Sequence, residues 1–187
     1  MATHQLTVSD WMYGRSPLAM RDALGHAQTL LPLLLGEAPG EPVPAGTLPL
    51  SGAVGRRLCQ FAGIRPRVAA PEPRDWYEAL RERFDCVNVI ERREDAYPWR
   101  TRLARDRWAT YLLAHPNEEQ HQTLTVACLG RKAAAAVGLR SGRAWGEWVE
   151  AGLLRATVIP HPSGRNRLYN DEAMCDLAGR VLREAME

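Results

Sequence analysis

Lysine is almost absent from this sequence of 187 residues, which has one lysine, Lys132, beside 23 arginines. Arginine is permanently ionised, and its planar set of donors suits phosphates and base edges. A gene of high GC content also favours arginine codons, so the ratio alone assigns no function. The 24 basic residues are nearly balanced by 22 acidic ones, for a net charge of +2. This total does not indicate a nucleic-acid binder in the way a highly basic domain does.

Long apolar runs are absent too. No stretch approaches the roughly 20 apolar residues of a membrane span, and the first residues, MATHQLTVSDW, lack the basic and apolar regions of a signal peptide. We therefore expect a soluble, cytoplasmic protein that does not contact a membrane. With 45% apolar and 25% charged residues, residues 1–187 are predicted to form one domain with a helical extension over 1–28. We expect a monomer.

The sequence also lacks the common signatures of metal, cluster and nucleotide sites. No CxxC or CxxH pair occurs, so neither a zinc site nor an iron–sulfur cluster is indicated. Neither GxxxxGK[ST] nor GxGxxG is present, which argues against a nucleotide cofactor. We expect no metal, no cofactor and buried, reduced cysteines. The cysteines are Cys59, Cys86, Cys128 and Cys175.

Four apolar runs of strand length alternate with stretches of helical spacing. The runs cover 29–35, 86–90, 123–129 and 154–159. Their near-continuous apolar character is typical of parallel strands that are covered on both faces. Helical spacing predicts helices over 53–62, 74–83, 100–114 and 131–150, and a closing helix at the end of the chain. The alternation predicts an α/β fold, a three-layer α/β/α domain with a central, mostly parallel four-stranded sheet.

Two polar loops follow predicted strands at the edge of the sheet where ligands bind in this architecture. The first, over 36–55, has Glu37 as its second residue, a carboxylate that can activate or orient water or can serve as a structural hydrogen-bond acceptor. The second, over 160–171, contains His161, whose conformation the following proline restricts. Its imidazole can donate a hydrogen bond to an oxygen that gains negative charge, or can be purely structural.

Five segments together resemble the uracil-DNA glycosylase superfamily, in order and spacing, over 29–187. They are GEAPGE at 36–41, GTLPLSGAVGRRL at 46–58, CVNVI at 86–90, LTVACLGRKAAAAVGL at 124–139 and VIPHPSGRN at 158–166. The resemblance is to the branch with Gly-Glu-x-Pro-Gly and His-Pro-Ser motifs. It implies a DNA-repair hydrolase, a monofunctional DNA glycosylase that flips uracil or a related modified pyrimidine out of DNA and hydrolyses its N-glycosidic bond.

The resemblance also implies roles for individual residues. Glu37 matches the carboxylate that activates water or stabilises the sugar cation, and His161 matches the residue that hydrogen-bonds the departing base at O2. Asn88, polar within an apolar strand, matches the amide that reads the Watson–Crick edge of the flipped base. The loop that contacts phosphates and pushes into the duplex is matched by Ser163, Gly164, Arg165, Asn166 and Arg167.

Several positions depart from the family pattern. Leu50 stands where the family has an aromatic residue that stacks on the flipped base, a contact worth about 1 to 3 kcal/mol. Gly40 stands where some branches carry a tyrosine that excludes the thymine methyl group, although this branch also has glycine. The iron–sulfur cysteines are absent, and ERREDAYPWR at 91–100 replaces the usual Lys-Cys-Arg-Pro segment. Tyr97 or Trp99 of this segment is a candidate substitute for the missing aromatic, or a packing residue.

Two other functions remain open from the sequence. The scaffold can serve an enzyme that modifies an unusual base in DNA, or a non-catalytic DNA-binding protein that contacts phosphates through arginines. In each case the partner is DNA, single- or double-stranded. The stretch 151–170 contains no acidic residue, so Arg155, Arg165 and Arg167 predict a basic edge.

Overall fold

A five-stranded sheet forms the centre of the computed structural model, which describes residues 31–37, 50–90, 100–114, 123–140 and 142–187. The strands are β1 (Leu33–Gly36), β2 (Asp85–Asn88), β3 (Leu124–Leu129), β4 (Val149–Ala151) and β5 (Leu154–Ile159). Their order across the sheet is β2-β1-β3-β5-β4. The first four strands in this order run parallel, and β4 pairs antiparallel with β5.

Helices cover both faces of the sheet. They are α1 (Ala53–Ala62), α2 (Pro73–Arg81), α3 (Thr101–Ala114), α4 (Arg131–Val137) and α5 (Glu172–Ala185), with a 3-10 turn at Arg167–Asn170. On β1, Leu33 and Leu35 pack with residues of α3 and α4, whereas Leu34 packs with residues of α1, α2 and α5. The predicted three-layer α/β/α architecture is confirmed, and the apolar strands are buried from both sides as their composition indicates.

The number of strands is corrected from four to five. The predicted helix over 131–150 ends at Val137, because Gly138 adopts the left-handed conformation (φ 91°) in which its N–H bonds back to the last helical carbonyls. The chain then turns and adds β4 along the outside of β5. Helical spacing missed β4 because the strand is only three residues long and sits at the edge, where Glu150 and Ala151 are exposed.

Other predicted elements hold with small shifts of their ends. The apolar run at 29–35 forms a strand only from Leu33 onwards, and the proposed extension over 1–28 lies outside the described residues. All four cysteines are free, three of them buried and Cys175 half-buried. Burial raises the pKa of the Cys59 thiol to about 12, so its protonated form is favoured at neutral pH. Within the described parts of the chain, no helix is both long and apolar enough to cross a membrane.

Candidate active site

Glu37 and His161 come together at the carboxyl edge of the sheet, the edge at which the parallel strands end. Glu37 follows β1 and His161 lies two residues beyond β5, and both strands pair with β3. Gly130 follows β3 between them. A Cβ atom on Gly130 would lie 2.8 Å from Oε1 of Glu37 and 3.5 Å from Cβ of His161. The two residues predicted from separate loops therefore flank one point, where a side chain on Gly130 would intrude.

The carboxylate of Glu37 is held in a partly desolvated position. Its side chain is 24% exposed, and burial raises its pKa above the usual 4.5. The ammonium Nζ of Lys132, on α4, lies 3.7 Å from Oε2 of Glu37 and opposes that rise. The carbonyl of Glu37 accepts a hydrogen bond of 3.0 Å from the N–H of Ile90, which fixes the backbone beyond β1. Lys132 lies beside this carboxylate, and the effect of burial on its pKa is the larger one. The carboxylate therefore holds its proton more tightly than a carboxylate in water does.

His161 is half-buried, and its surroundings favour the neutral imidazole. Burial lowers its pKa below the usual 6.5, since a desolvated imidazolium is penalised. The carbonyl of His161 accepts a hydrogen bond of 2.9 Å from Nδ2 of Asn166, and the preceding carbonyl, of Pro160, accepts one from the hydroxyl of Tyr169. The main chain on both sides of the imidazole is thus fixed. A neutral imidazole still donates one hydrogen bond.

Arg57 fixes the main chain of the His-Pro-Ser loop, a role that sequence reasoning missed. From α1, Nη1 of Arg57 donates hydrogen bonds to the carbonyls of Ser163 (2.9 Å) and Pro162 (3.3 Å), more than 100 positions along the chain. The segment GRRL, in which Arg57 lies, belonged to the family resemblance but carried no assigned role. These bonds tie the loop to the helix layer and restrict the position of His161.

The residues predicted to contact DNA divide into two groups. Gly164, Arg165 and Arg167 are exposed at the carboxyl edge. Asn166 instead organises the loop, because Nδ2 binds the His161 carbonyl and Oδ1 accepts a bond of 3.2 Å from the N–H of Leu168. Ser163 is half-buried, and its carbonyl is engaged by Arg57. Leu168 lies in the 3-10 turn before α5 rather than in the closing helix, and it has 43% of its surface exposed beside these arginines.

Asn88, Leu50 and Gly36 meet at the ends of β1 and β2. Asn88 is 8% exposed, and its Oδ1 is buried with no hydrogen-bond partner among the described residues. A Cβ atom on Gly36 would overlap this oxygen and lie 2.8 Å from Cδ2 of Leu50. Leu50 is also 8% exposed and belongs to the apolar cluster that α1, α2 and α5 form against the sheet. The structure thus places an unsatisfied amide oxygen beside an apolar wall.

Other predicted residues lie apart from this site or outside the described residues. Arg155, near the start of β5, stacks over the ring of Trp148 at 4.3 Å and donates to the carbonyl of Glu184. It therefore supports packing at the opposite edge of the sheet rather than a basic surface beside His161. Gly40, Tyr97 and Trp99 fall outside the described residues, so their predicted roles stay predictions.

Comparison with known proteins adds no family to this geometry: the chain matches no family model and no curated protein. Among the described residues, no group of three or more His, Cys, Asp or Glu side chains is placed to hold a metal ion. The chemistry open to this site therefore depends on the side chains of Glu37, Lys132, His161 and Asn88.

Proposed function

We propose that this protein is a DNA glycosylase, which hydrolyses the N-glycosidic bond of uracil or a related modified pyrimidine flipped out of DNA. The observation that carries the proposal is the juxtaposition of Glu37 and His161 about Gly130 at the carboxyl edge. The resemblance of five sequence segments to the uracil-DNA glycosylase superfamily supports it. The setting we propose is DNA repair in the cytoplasm of a bacterial or phage-like system, by a monomer.

The charges that develop in this reaction match the two side chains. Cleavage of a glycosidic bond builds positive charge on the sugar and negative charge on the departing base. The carboxylate of Glu37 stabilises the sugar and orients the attacking water, and the N–H of neutral His161 donates to the base oxygen. One well-aimed donor of this kind is worth about 2.7 to 4 kcal/mol, or a hundred- to a thousandfold in rate.

Asn88 supplies a means of recognising the base. A buried acceptor without a partner costs about 1 to 3 kcal/mol, and Oδ1 of Asn88 is such an acceptor among the described residues. An N–H on the Watson–Crick edge of uracil would satisfy it when the base is flipped into the site. Leu50 then offers the base an apolar surface without aromatic stacking.

The exposed residues that follow His161 in the chain are of the types that contact a DNA duplex. Arg165 and Arg167 provide charges for phosphates, and Leu168 provides an exposed apolar side chain next to them. Proteins that open base steps insert apolar wedges of this type between bases. This arrangement supports extrusion of a nucleotide, which costs a few kcal/mol of unstacking.

The test is single-turnover incubation with single- and double-stranded oligonucleotides that contain uracil, hydroxymethyluracil, hypoxanthine or a T:G mismatch. We expect release of the free base, and His161→Ala should slow this excision about a hundred- to a thousandfold with little change in DNA binding. Glu150→Gln, which removes an exposed carboxylate on β4, is the control. A base of altered mass would instead identify a base-modification enzyme, and binding without product would identify a non-catalytic DNA-binding protein.

A further inference from the structure

Lys132 is the one lysine of the chain, and it lies at the candidate active site. It is the second residue of α4, its side chain is 41% exposed, and its Nζ lies 3.7 Å from Oε2 of Glu37. The other 23 long cationic side chains, on every part of the chain, are arginines. The position next to the proposed catalytic carboxylate is thus the one place where this sequence carries a primary amine on a side chain.

Lysine and arginine differ in whether the side chain can lose its proton and react as a nucleophile. An ion pair with Glu37 needs only a positive charge, and arginine would form it with better geometry, since its guanidinium matches a carboxylate with two parallel bonds. Arginine does not lose its proton in proteins, whereas the ammonium of lysine can do so and then acts as a nucleophile that forms Schiff bases with carbonyl compounds. A lysine at this position therefore adds one capacity that arginine lacks, attack on an aldehyde.

We propose that Lys132 gives the protein a second activity, which the monofunctional enzyme implied by the resemblance lacks: cleavage of the DNA strand at the abasic site through a Schiff base with the sugar. This inference rests on the proposed function, because excision of the base leaves a deoxyribose whose open-chain form carries an aldehyde at C1′. Glu37 faces C1′ in the proposed glycosylase reaction, and the amine lies beside Glu37. The lysine thus lies near the carbon that becomes electrophilic.

Lys132 and Glu37 together supply and accept every proton that is transferred when the Schiff base forms. The ammonium of Lys132 passes one proton to the carboxylate of Glu37, and the neutral amine forms a C–N bond to C1′. The former carbonyl oxygen becomes a hydroxyl by taking a second proton from the nitrogen. Glu37 returns its proton to this hydroxyl, which leaves as water. An iminium that links Lys132 to the sugar remains, and Glu37 is again a carboxylate.

Strand cleavage follows by β-elimination. The carboxylate of Glu37 takes a proton from C2′, the electron pair of that C–H bond forms a double bond between C2′ and C3′, and the C3′–O bond breaks. Its electron pair leaves with the phosphate. Water then hydrolyses the iminium: its oxygen becomes the carbonyl of an unsaturated aldehyde, and its two protons return Lys132 to the ammonium form. Glu37 releases the C2′ proton to solvent and is again a carboxylate. Neither an oxidant nor a reductant takes part.

The test uses the full chain and an oligonucleotide with a preformed abasic site, with and without sodium borohydride, which reduces the iminium to a stable amine. We expect a covalent protein–DNA adduct on a denaturing gel, its attachment point at Lys132 by peptide mass spectrometry, and a nicked strand when borohydride is omitted. Lys132→Arg should lose the adduct and the nick while it keeps the charge beside Glu37. A melting temperature equal to that of the parent shows that this variant is folded.

The outcomes separate this inference from the proposed function. Release of uracil without any adduct on abasic DNA would overturn the lyase and leave the glycosylase intact. An adduct on abasic DNA without base release would support the lyase and contradict the glycosylase. An adduct that maps to the N-terminal amine, the other primary amine of the chain, would overturn the role of Lys132, as would full trapping by Lys132→Arg.

Discussion

Gly36 lies opposite Asn88 in the parallel register of β1 and β2, and any side chain on Gly36 would occupy the place of Oδ1 of Asn88. The same side chain would approach Cδ2 of Leu50 to 2.8 Å. The bare backbone of Gly36 is therefore what allows a polar amide to sit at the end of a buried strand, directly before Glu37.

We expect Gly36→Ala to damage the site more than the fold. The added methyl group must displace the amide of Asn88 and the side chain of Leu50, which are the ends of side chains and can move. Overpacking of this kind costs about 1 to 3 kcal/mol of stability. Excision should fall even at saturating DNA. Gly142→Ala is the matched control, because a Cβ there meets no atom within 4 Å. Excision by Gly36→Ala at the rate of the parent would contradict the proposed position of the base.

Replacement of Asn88 by leucine should separate stability from function. Leucine has the same branched shape but leaves no buried oxygen without a partner. An unpaired buried oxygen costs about 1 to 3 kcal/mol of stability, so the free energy of unfolding of the variant should rise by part of this amount. Base recognition should be lost, and excision should fall by about tenfold for each 1.4 kcal/mol of lost binding. Thermal unfolding and single-turnover excision of uracil measure the two effects. A variant that is less stable than the parent would show that the amide has a structural partner instead.

Much of the fold was predictable because burial on both faces leaves a strong mark on a strand. The apolar runs that became β2, β3 and β5 were identified within a few residues, and the polar residues after β1 and β5 followed from the common direction of the strands. Three features were not predictable. The edge strand β4 is short and half-exposed, Arg57 acts through carbonyls that carry no sequence signal, and the approach of Lys132 to Glu37 depends on where α4 begins.

The pH dependence of stability should reveal the half-buried carboxylate of Glu37. In the unfolded chain Glu37 titrates near 4.5, and burial raises its pKa in the folded protein. The folded state therefore binds more protons between these two values, and stability falls as pH rises through them. Glu37→Gln removes this loss, so its melting temperature should exceed that of the parent at pH 7, and the difference should shrink as the pH is lowered toward 4.5.

The same variant should lose excision at every pH, because glutamine cannot carry the negative charge. His161 titrates in parent and variant alike, so the difference between them reports Glu37. Glu150→Gln should show no gain in melting temperature at neutral pH. A melting temperature of Glu37→Gln below that of the parent at pH 7 would mean that the ion pair with Lys132 outweighs the cost of burial.

The salt dependence of DNA binding should identify the surface that contacts phosphates. Arg165 is exposed beside His161, whereas Arg180 lies on the last turns of α5, near Glu184. Each phosphate contact through an arginine contributes about one unit to the slope of log K against log salt, because counterions are released from DNA. Arg165→Ala should therefore reduce the slope by about one unit, and Arg180→Ala should leave it unchanged. Equal slopes for the two variants would contradict binding of DNA at the carboxyl edge, since the side chain beside the site would then contribute no more than one far from it.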